Sequence, residues 1–176
     1  TRLKAEIAGG VDTRLCYAIE DLVEEMAKEG EDRFDYIIID CGPRLDMTTT
    51  NAIVALEAGN NASHIIIPIK VDGFAIAGLS QTIDTINRTA KERRRLPQHW
   101  KILQTMIERK TSAYKVGCEL LKEAIPNAEY FNTKIEKSTV VPEASLAMEP
   151  LITYAPDSKP GMQYRLLAQE IEEMNA

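Results

Sequence analysis

The sequence is poor in the residues that carry covalent and metal chemistry. Its 176 residues hold three cysteines, Cys16, Cys41 and Cys118, far apart and without a close pair. That spacing argues against both a disulfide framework and a thiolate zinc site, and reads as reduced thiols. The two histidines, His64 and His99, lie in separate segments with no Ser or Cys motif of a catalytic triad around them. Both read as structural or surface residues. No apolar run approaches the roughly 20 residues of a membrane span, and the opening "TRLKAEIAGG" has neither the apolar core nor the cleavage pattern of a signal peptide. The expectation is a soluble cytoplasmic protein. The opening also lacks an initiator Met, as processing, tag removal or a piece of a longer chain would leave it. Basic charge is in deficit, with 21 Lys and Arg against 27 Asp and Glu and a net charge of -6. A surface basic all round is excluded; a local basic patch is not.

What is present is the pattern of a covered parallel sheet. The length suits one domain with a substantial core, and no repeat or internal boundary is visible. Within "FDYIIIDCGPRLD", residues 34–46, Tyr36 to Ile39 form an unbroken β-branched and aromatic run that reads as a strand buried on both faces. Asp40 stands at its carboxyl end, where open parallel sheets bind their ligands. It is a candidate for function, or simply the cap of the following turn. Helical spacing runs from Arg14 to Lys28, with Leu15, Ala18, Ile19, Leu22, Val23 and Met26 on one face. "TTTNAIVALEAG" reads as a helix ending near Gly59, "SHIIIPIK" as a second buried strand, Ala75 to Lys91 as a long helix and "KILQTMI" as a third strand. Tyr114 to Ala124 reads as a helix, "EYFNTKI" as a short strand, and about Pro160 to Met174 as the last helix. Strands separated by helices predict right-handed crossovers and an α/β fold, a mainly parallel sheet with helices on both faces.

The stretches "DYIIIDCGPRLDMTTTNAIVAL", "HIIIPIKVDGFAIAGLSQTIDTI", "LQTMIERKTSAYKV" and "MEPLITYAPDSKPGMQYRLLAQEI" occur in the order and at the spacing found in ParA/Soj-type ATPases of DNA partition. From about Phe34 to Ile171 the chain resembles the carboxyl-terminal two-thirds of such a protein. The resemblance implies a P-loop NTPase architecture of the ParA/MinD/nitrogenase-iron-protein kind, with ATP and Mg²⁺ as cofactors. It implies that Asp40 is the Walker B-like carboxylate, holding a water of the Mg²⁺ on the nucleotide phosphates, and that Cys41, Gly42 and Pro43 form the switch turn that senses the γ-phosphate. Gly42 stands where the family has a first proline, which predicts a looser turn. By the same resemblance Met106, Ile107, Arg109 and Lys137 line the adenine; Met106 and Ile107 as ordinary core is an equal alternative. Arg109, Lys110 and Lys137 match positions that bind DNA without sequence preference, whereas the family's next basic position falls on Val140. The basic tract "RTAKERRRLPQHWK", with Arg88, Lys91, Arg93, Arg94, Arg95 and Lys101, reads more simply as a solvated helix end, and Trp100 as a packing residue.

The family's phosphate cradle, G-x-x-x-x-G-K-[ST], stands nowhere in the sequence, and Gly9-Gly10 lacks the lysine, the hydroxyl and the preceding strand. The expectation is a single α/β domain, 1–176, that is the carboxyl-terminal part of a ParA-like ATPase domain and is inactive alone. In relatives the strand leading into the phosphate loop lies between the strands that here are "YIIID" and "HIIIPI". The intact protein is expected to form a homodimer on ATP, bind non-specific DNA at the nucleoid, and work with a ParB-type partner in plasmid or chromosome segregation. A MinD-like relative acting at membranes is the alternative, disfavoured by the acidic last helix "GMQYRLLAQEIEEMNA". A third is a non-catalytic interaction domain that has lost its nucleotide site.

Overall fold

The structure, a computed structural model, describes residues 13–30, 32, 34–59, 63–92 and 100–174. They gather into two compact units, one from Thr1–Ile65 and Thr82–His99, the other from Ile66–Gln81 and Trp100–Ala176.

In the first unit, helix α1 (Arg14–Glu29) is closed by Gly30, whose φ of 70° is the left-handed geometry that glycine takes without strain. Helix α2 (Met47–Ala55) runs into a 3-10 turn at Leu56–Gly59. Cys16, Val54 and Ala55 form the core, with Leu15, Ile19, Ile39 and Ala58 packed against it. The contact on α1 is narrower than the apolar stripe predicts: Ala18, Leu22 and Val23 are exposed.

The strand expected at Tyr36–Asp40 is not formed. These residues have no regular structure, and Tyr36, Ile37 and Ile38 are 50%, 47% and 90% exposed. A strand is held by the ladder to its neighbour, and no described residue supplies one. Only Ile39 reaches the core.

The second unit holds the sheet. Strands β1 (Ile65–Lys70) and β2 (Trp100–Thr105) lie side by side in a parallel sheet. Helix α3 (Gly73–Glu92) lies between them in the chain. Parallel bridges Ile102↔Tyr130 and Ile107↔Glu136 add a third, interrupted segment beside β2. The interruption has a cause. The backbone N–H groups of Asn132 and Thr133 leave the ladder to donate to the Glu170 carboxylate at 2.8 and 2.9 Å. Three consecutive residues of β2, Ile102, Leu103 and Gln104, are buried, as a strand covered on both faces requires. Strand β1 departs from that expectation by alternating, with Ile67 and Ile69 buried and Ile66 and Pro68 exposed.

Helix α4 (Ser112–Ala124) follows β2, and α7 (Lys159–Met174) closes the chain by packing Leu167, Ile171 and Met174 around Leu103, Phe131 and Ile135. Two short helices, α5 (Val140–Leu146) and α6 (Leu151–Tyr154), have no counterpart in the sequence reading. They are too short to show a helical period. Among the described residues no helix is long and apolar enough to cross a membrane.

Candidate functional site

The predicted residues fall into two clusters, one in each unit. In the first unit Asp40 is exposed, and none of the described residues pairs with its carboxylate. Cys41 follows, exposed as a residue, with its Sγ 3.9 Å from the Ile39 carbonyl. Partial screening of the sulfur from water, and then the Asp40 charge, push this thiol up from its ordinary range. Gly42 does not occupy the left-handed region, and a Cβ there would meet nothing within 4 Å. The looseness expected of that turn therefore does not come from a backbone angle reserved for glycine. The loop is anchored at its far end. Asp46 caps α2, its carboxylate accepting from the N–H groups of Thr48 and Thr49 at 2.9 and 3.3 Å. The Thr49 hydroxyl donates back to the Arg44 carbonyl.

No group of three His, Cys, Asp or Glu that could hold a metal exists among the described residues. A lone free carboxylate suits Mg²⁺, which keeps several waters and takes substrate phosphates, and does not suit an ion caged by protein ligands alone. Asp40 fits the first case.

The second cluster lies at the carboxyl ends of β1 and β2. Lys70 ends β1 and pairs with Asp72 at 3.2 Å. Asp72 in turn accepts from the Ala75 N–H at the start of α3. That amide and Lys70 hold its carboxyl below the usual range. After β2, Met106 has φ 51° and is 59% exposed. A bulky residue held there stores of order 1–3 kcal/mol, the kind of strain that collects at functional sites. Ile107 is buried and rejoins the ladder, donating to the Ile135 carbonyl and accepting from the Lys137 N–H, both at 3.1 Å. Glu108, Arg109 and Lys110 then turn into α4. Thr111 closes that turn by donating to the Glu108 carbonyl and accepting from the Tyr114 N–H.

This register sets the 108–110 turn beside Glu136 and Lys137, with Arg109 and Lys137 each ion-paired to an acid of the other segment. Arg109 Nε lies 2.8 Å from Glu136 Oε1, Lys159 Nζ lies 2.6 Å from Glu136 Oε2, and Lys137 Nζ lies 2.9 Å from Glu108 Oε1. Lys159 and then Arg109 hold the Glu136 carboxyl low, and Lys137 does the same for Glu108. Lys110 is exposed and carries no ion pair among the described residues. Val140 begins α5.

Glu108, Glu136 and Lys159 were missed by sequence reasoning. A single sequence shows that an acid neighbours each basic residue; it does not show which pairs across a ladder. Of the basic tract, Arg88 and Lys91 are exposed on α3, and Lys101 lies 5.7 Å over the Phe131 ring. Trp100 is half-buried at the start of β2, as a packing residue would be, and His64 is half-buried before β1. Gly9, Gly10, Arg93, Arg94, Arg95 and His99 lie outside the described residues.

A family model described as an AAA domain matches residues 9–98, just over half of the chain. Among curated proteins, "Sporulation initiation inhibitor protein Soj" of Bacillus subtilis is 32% identical over 144 residues, 78% of this chain and 52% of that protein. "Chromosome partitioning protein ParA" of Caulobacter vibrioides is 26% identical over 166 residues, 94% of this chain and 59% of that protein. "Chromosome-partitioning ATPase Soj" of Treponema pallidum is 27% identical over 151 residues, 85% and 56% of the two chains. The chain spans about half the length of the curated relatives it matches.

Proposed function

This chain belongs to the ParA/Soj-type family of partition ATPases, and on that premise we propose that it is the carboxyl-terminal part of a single α/β domain that binds ATP with Mg²⁺, dimerises, and binds DNA without sequence preference. Work with a ParB-type partner in plasmid or chromosome segregation, in the cytoplasm at the nucleoid, follows from the same reading. The observation that carries it is the Asp40 loop. Among the described residues none pairs with the Asp40 carboxylate, and the Cys41-Gly42-Pro43 turn after it is tied down where Asp46 caps the next helix and Thr49 bonds the Arg44 carbonyl. Asp40 has room to hold a water of a nucleotide-bound Mg²⁺, and the turn has room to move with the phosphate. Magnesium would supply charge neutralisation of the transferring phosphoryl group. Met106, Ile107, Arg109 and Lys137 are the proposed adenine-side residues, and Arg109, Lys110 and Lys137 the proposed phosphate contacts on DNA.

The test is Asp40→Ala in the full-length protein. An exposed, unpaired side chain contributes little to stability, within about 0.5 kcal/mol, so the fold should survive while ATP-dependent dimerisation and turnover are lost. Turnover at the parent rate would remove the magnesium role. For DNA, charge reversal at Arg109, Lys110 or Lys137 should each lower the salt slope by roughly one. Reversal within Arg93 to Arg95 should do less, and equal losses from both groups would refute the ranking. The absence of a G-x-x-x-x-G-K-[ST] motif from these residues favours a second reading, a non-catalytic interaction domain. ATP-dependent dimerisation lost on Asp40→Ala would exclude it.

A further inference from the structure

Glu136 ties two cations to one carboxylate. Arg109 Nε is 2.8 Å from one oxygen and Lys159 Nζ 2.6 Å from the other, and the Glu136 side chain is only 19% exposed. Its backbone is fixed as well. The N–H donates to Gln163 Oε1 at 2.9 Å, and the residue bridges Ile107 in parallel. The turn at 108–111, the interrupted third segment and the start of α7 therefore meet at this side chain. The neighbouring Lys137–Glu108 pair is different: its side chains are 62% and 51% exposed, so water and salt screen it and an incoming anion separates it readily.

We propose that Glu136 sets the affinity of this surface for DNA, by holding with its carboxylate the donors of Arg109 and Lys159 that a phosphodiester would otherwise take. The inference rests on the DNA-binding reading above. Arg109 spends its Nε on Glu136, and its Nη groups have no partner among the described residues. A phosphate can therefore reach the same guanidinium, but it does so beside a fixed negative charge. With the carboxylate in place, two cations present one net positive charge; without it they present two. Phosphate affinity follows that net charge through counterion release, so Glu136 restrains binding and lowers its dependence on salt. A purely structural tie would act in the opposite sense, because removing it would disorder the two cations and weaken binding.

The experiment is fluorescence anisotropy of the full-length ATP-bound protein on a non-specific DNA duplex over a range of salt. Glu136→Gln should bind more tightly at low salt with a slope steeper by about 0.9, so that its advantage shrinks by about 3.5-fold between roughly 50 and 200 mM salt. Lys159→Gln should bind more weakly, with a slope shallower by about the same amount. Glu136→Asp keeps the charge and should keep the parent slope. A Glu136→Gln slope equal to or shallower than the parent overturns the proposal. Should circular dichroism show that Glu136→Gln does not fold, an unchanged slope in Lys159→Gln overturns it instead. Lys110→Glu and Lys137→Glu separate the two readings. If they leave binding intact, DNA binding at this surface is itself wrong. If they weaken it while Glu136→Gln fails to tighten it, only the role of Glu136 is lost.

Discussion

Met148 should be replaceable by glycine with a gain in stability. It has φ 54° and is 92% exposed, directly after α5 and its C-cap residue Ala147. The Glu149 N–H donates to the Ala144 carbonyl and the Met148 N–H to the Ser145 carbonyl, both at 3.1 Å. That bond pair is the Schellman closure of a helix, whose left-handed position is usually glycine. A residue with a Cβ is disfavoured there by about 1–2 kcal/mol. Glycine returns roughly 0.5–1 kcal/mol of that through its freer unfolded chain. With so exposed a side chain, almost no packing is lost. The net expectation for Met148→Gly is a gain of about 0.5–1 kcal/mol, a rise of roughly 1–4 °C in Tm for a domain of this size. Met148→Ala keeps the Cβ and should change little. Urea and thermal unfolding of the three proteins provide the assay. Glycine no more stable than alanine would refute the reasoning. Met106 shares the geometry at φ 51° but sits in the candidate site, so Met106→Gly should gain similar stability and lose nucleotide affinity if its strain serves function.

A Cβ on Gly161 would lie 2.7 Å from the Ala155 carbonyl oxygen and 3.0 Å from that of Pro156. Backbone must shift to admit it, so Gly161→Ala should cost about 1–3 kcal/mol in chemical denaturation. Cys16 is buried, and burial first, then the Glu20 charge, push its thiol up to about 11. A thiol reagent near neutral pH should modify exposed Cys41 long before Cys16. Because the folded value lies above the unfolded one, the stability linked to Cys16 is whole below about pH 8.5 and is lost as pH rises toward 11, visible as a falling unfolding midpoint. Expressed alone, the 176-residue chain should show no ATPase activity and should self-associate until an amino-terminal fragment of the full-length protein is added. A monodisperse monomer that unfolds cooperatively and ignores the fragment would contradict this.

Periodicity alone located most elements to within a few residues, because long helices and covered strands carry their burial in their spelling. The helix expected at Tyr114–Ala124 is Ser112–Ala124, and that expected at Ala75–Lys91 is Gly73–Glu92. Pairing is not spelled that way. Glu136 matters because the ladder to Ile107 sets it beside Arg109, and because Gln163 and Lys159 arrive from a helix more than twenty residues on. A one-residue slip in that register would turn the carboxylate to the other face. Met148 shows the converse limit, since its strain follows from how a short helix ends, and a methionine at that position gives no local sign of it.

The "YIIID" run combines both lessons. Its composition demands burial on two faces, yet Ile38 is 90% exposed and pairs with no described residue. Among the described residues strand β1 has a ladder on one side, to β2, and its Ile66 is 37% exposed. Among the described residues the run thus has a strand's chemistry without a strand's neighbour, and β1 has a neighbour on one edge and none on the other. Unpaired backbone groups cost about 1–3 kcal/mol each once water is excluded from them. Apolar surface of this kind favours association with any strand that can satisfy both needs at once. A strand that complements the run should therefore bury Ile37 and Ile38, and one that complements β1 should bury Ile66, each gain appearing as slowed amide exchange in that segment. Unchanged exchange across Tyr36–Asp40 on adding an amino-terminal fragment would show that the run is not completed by a strand from that fragment.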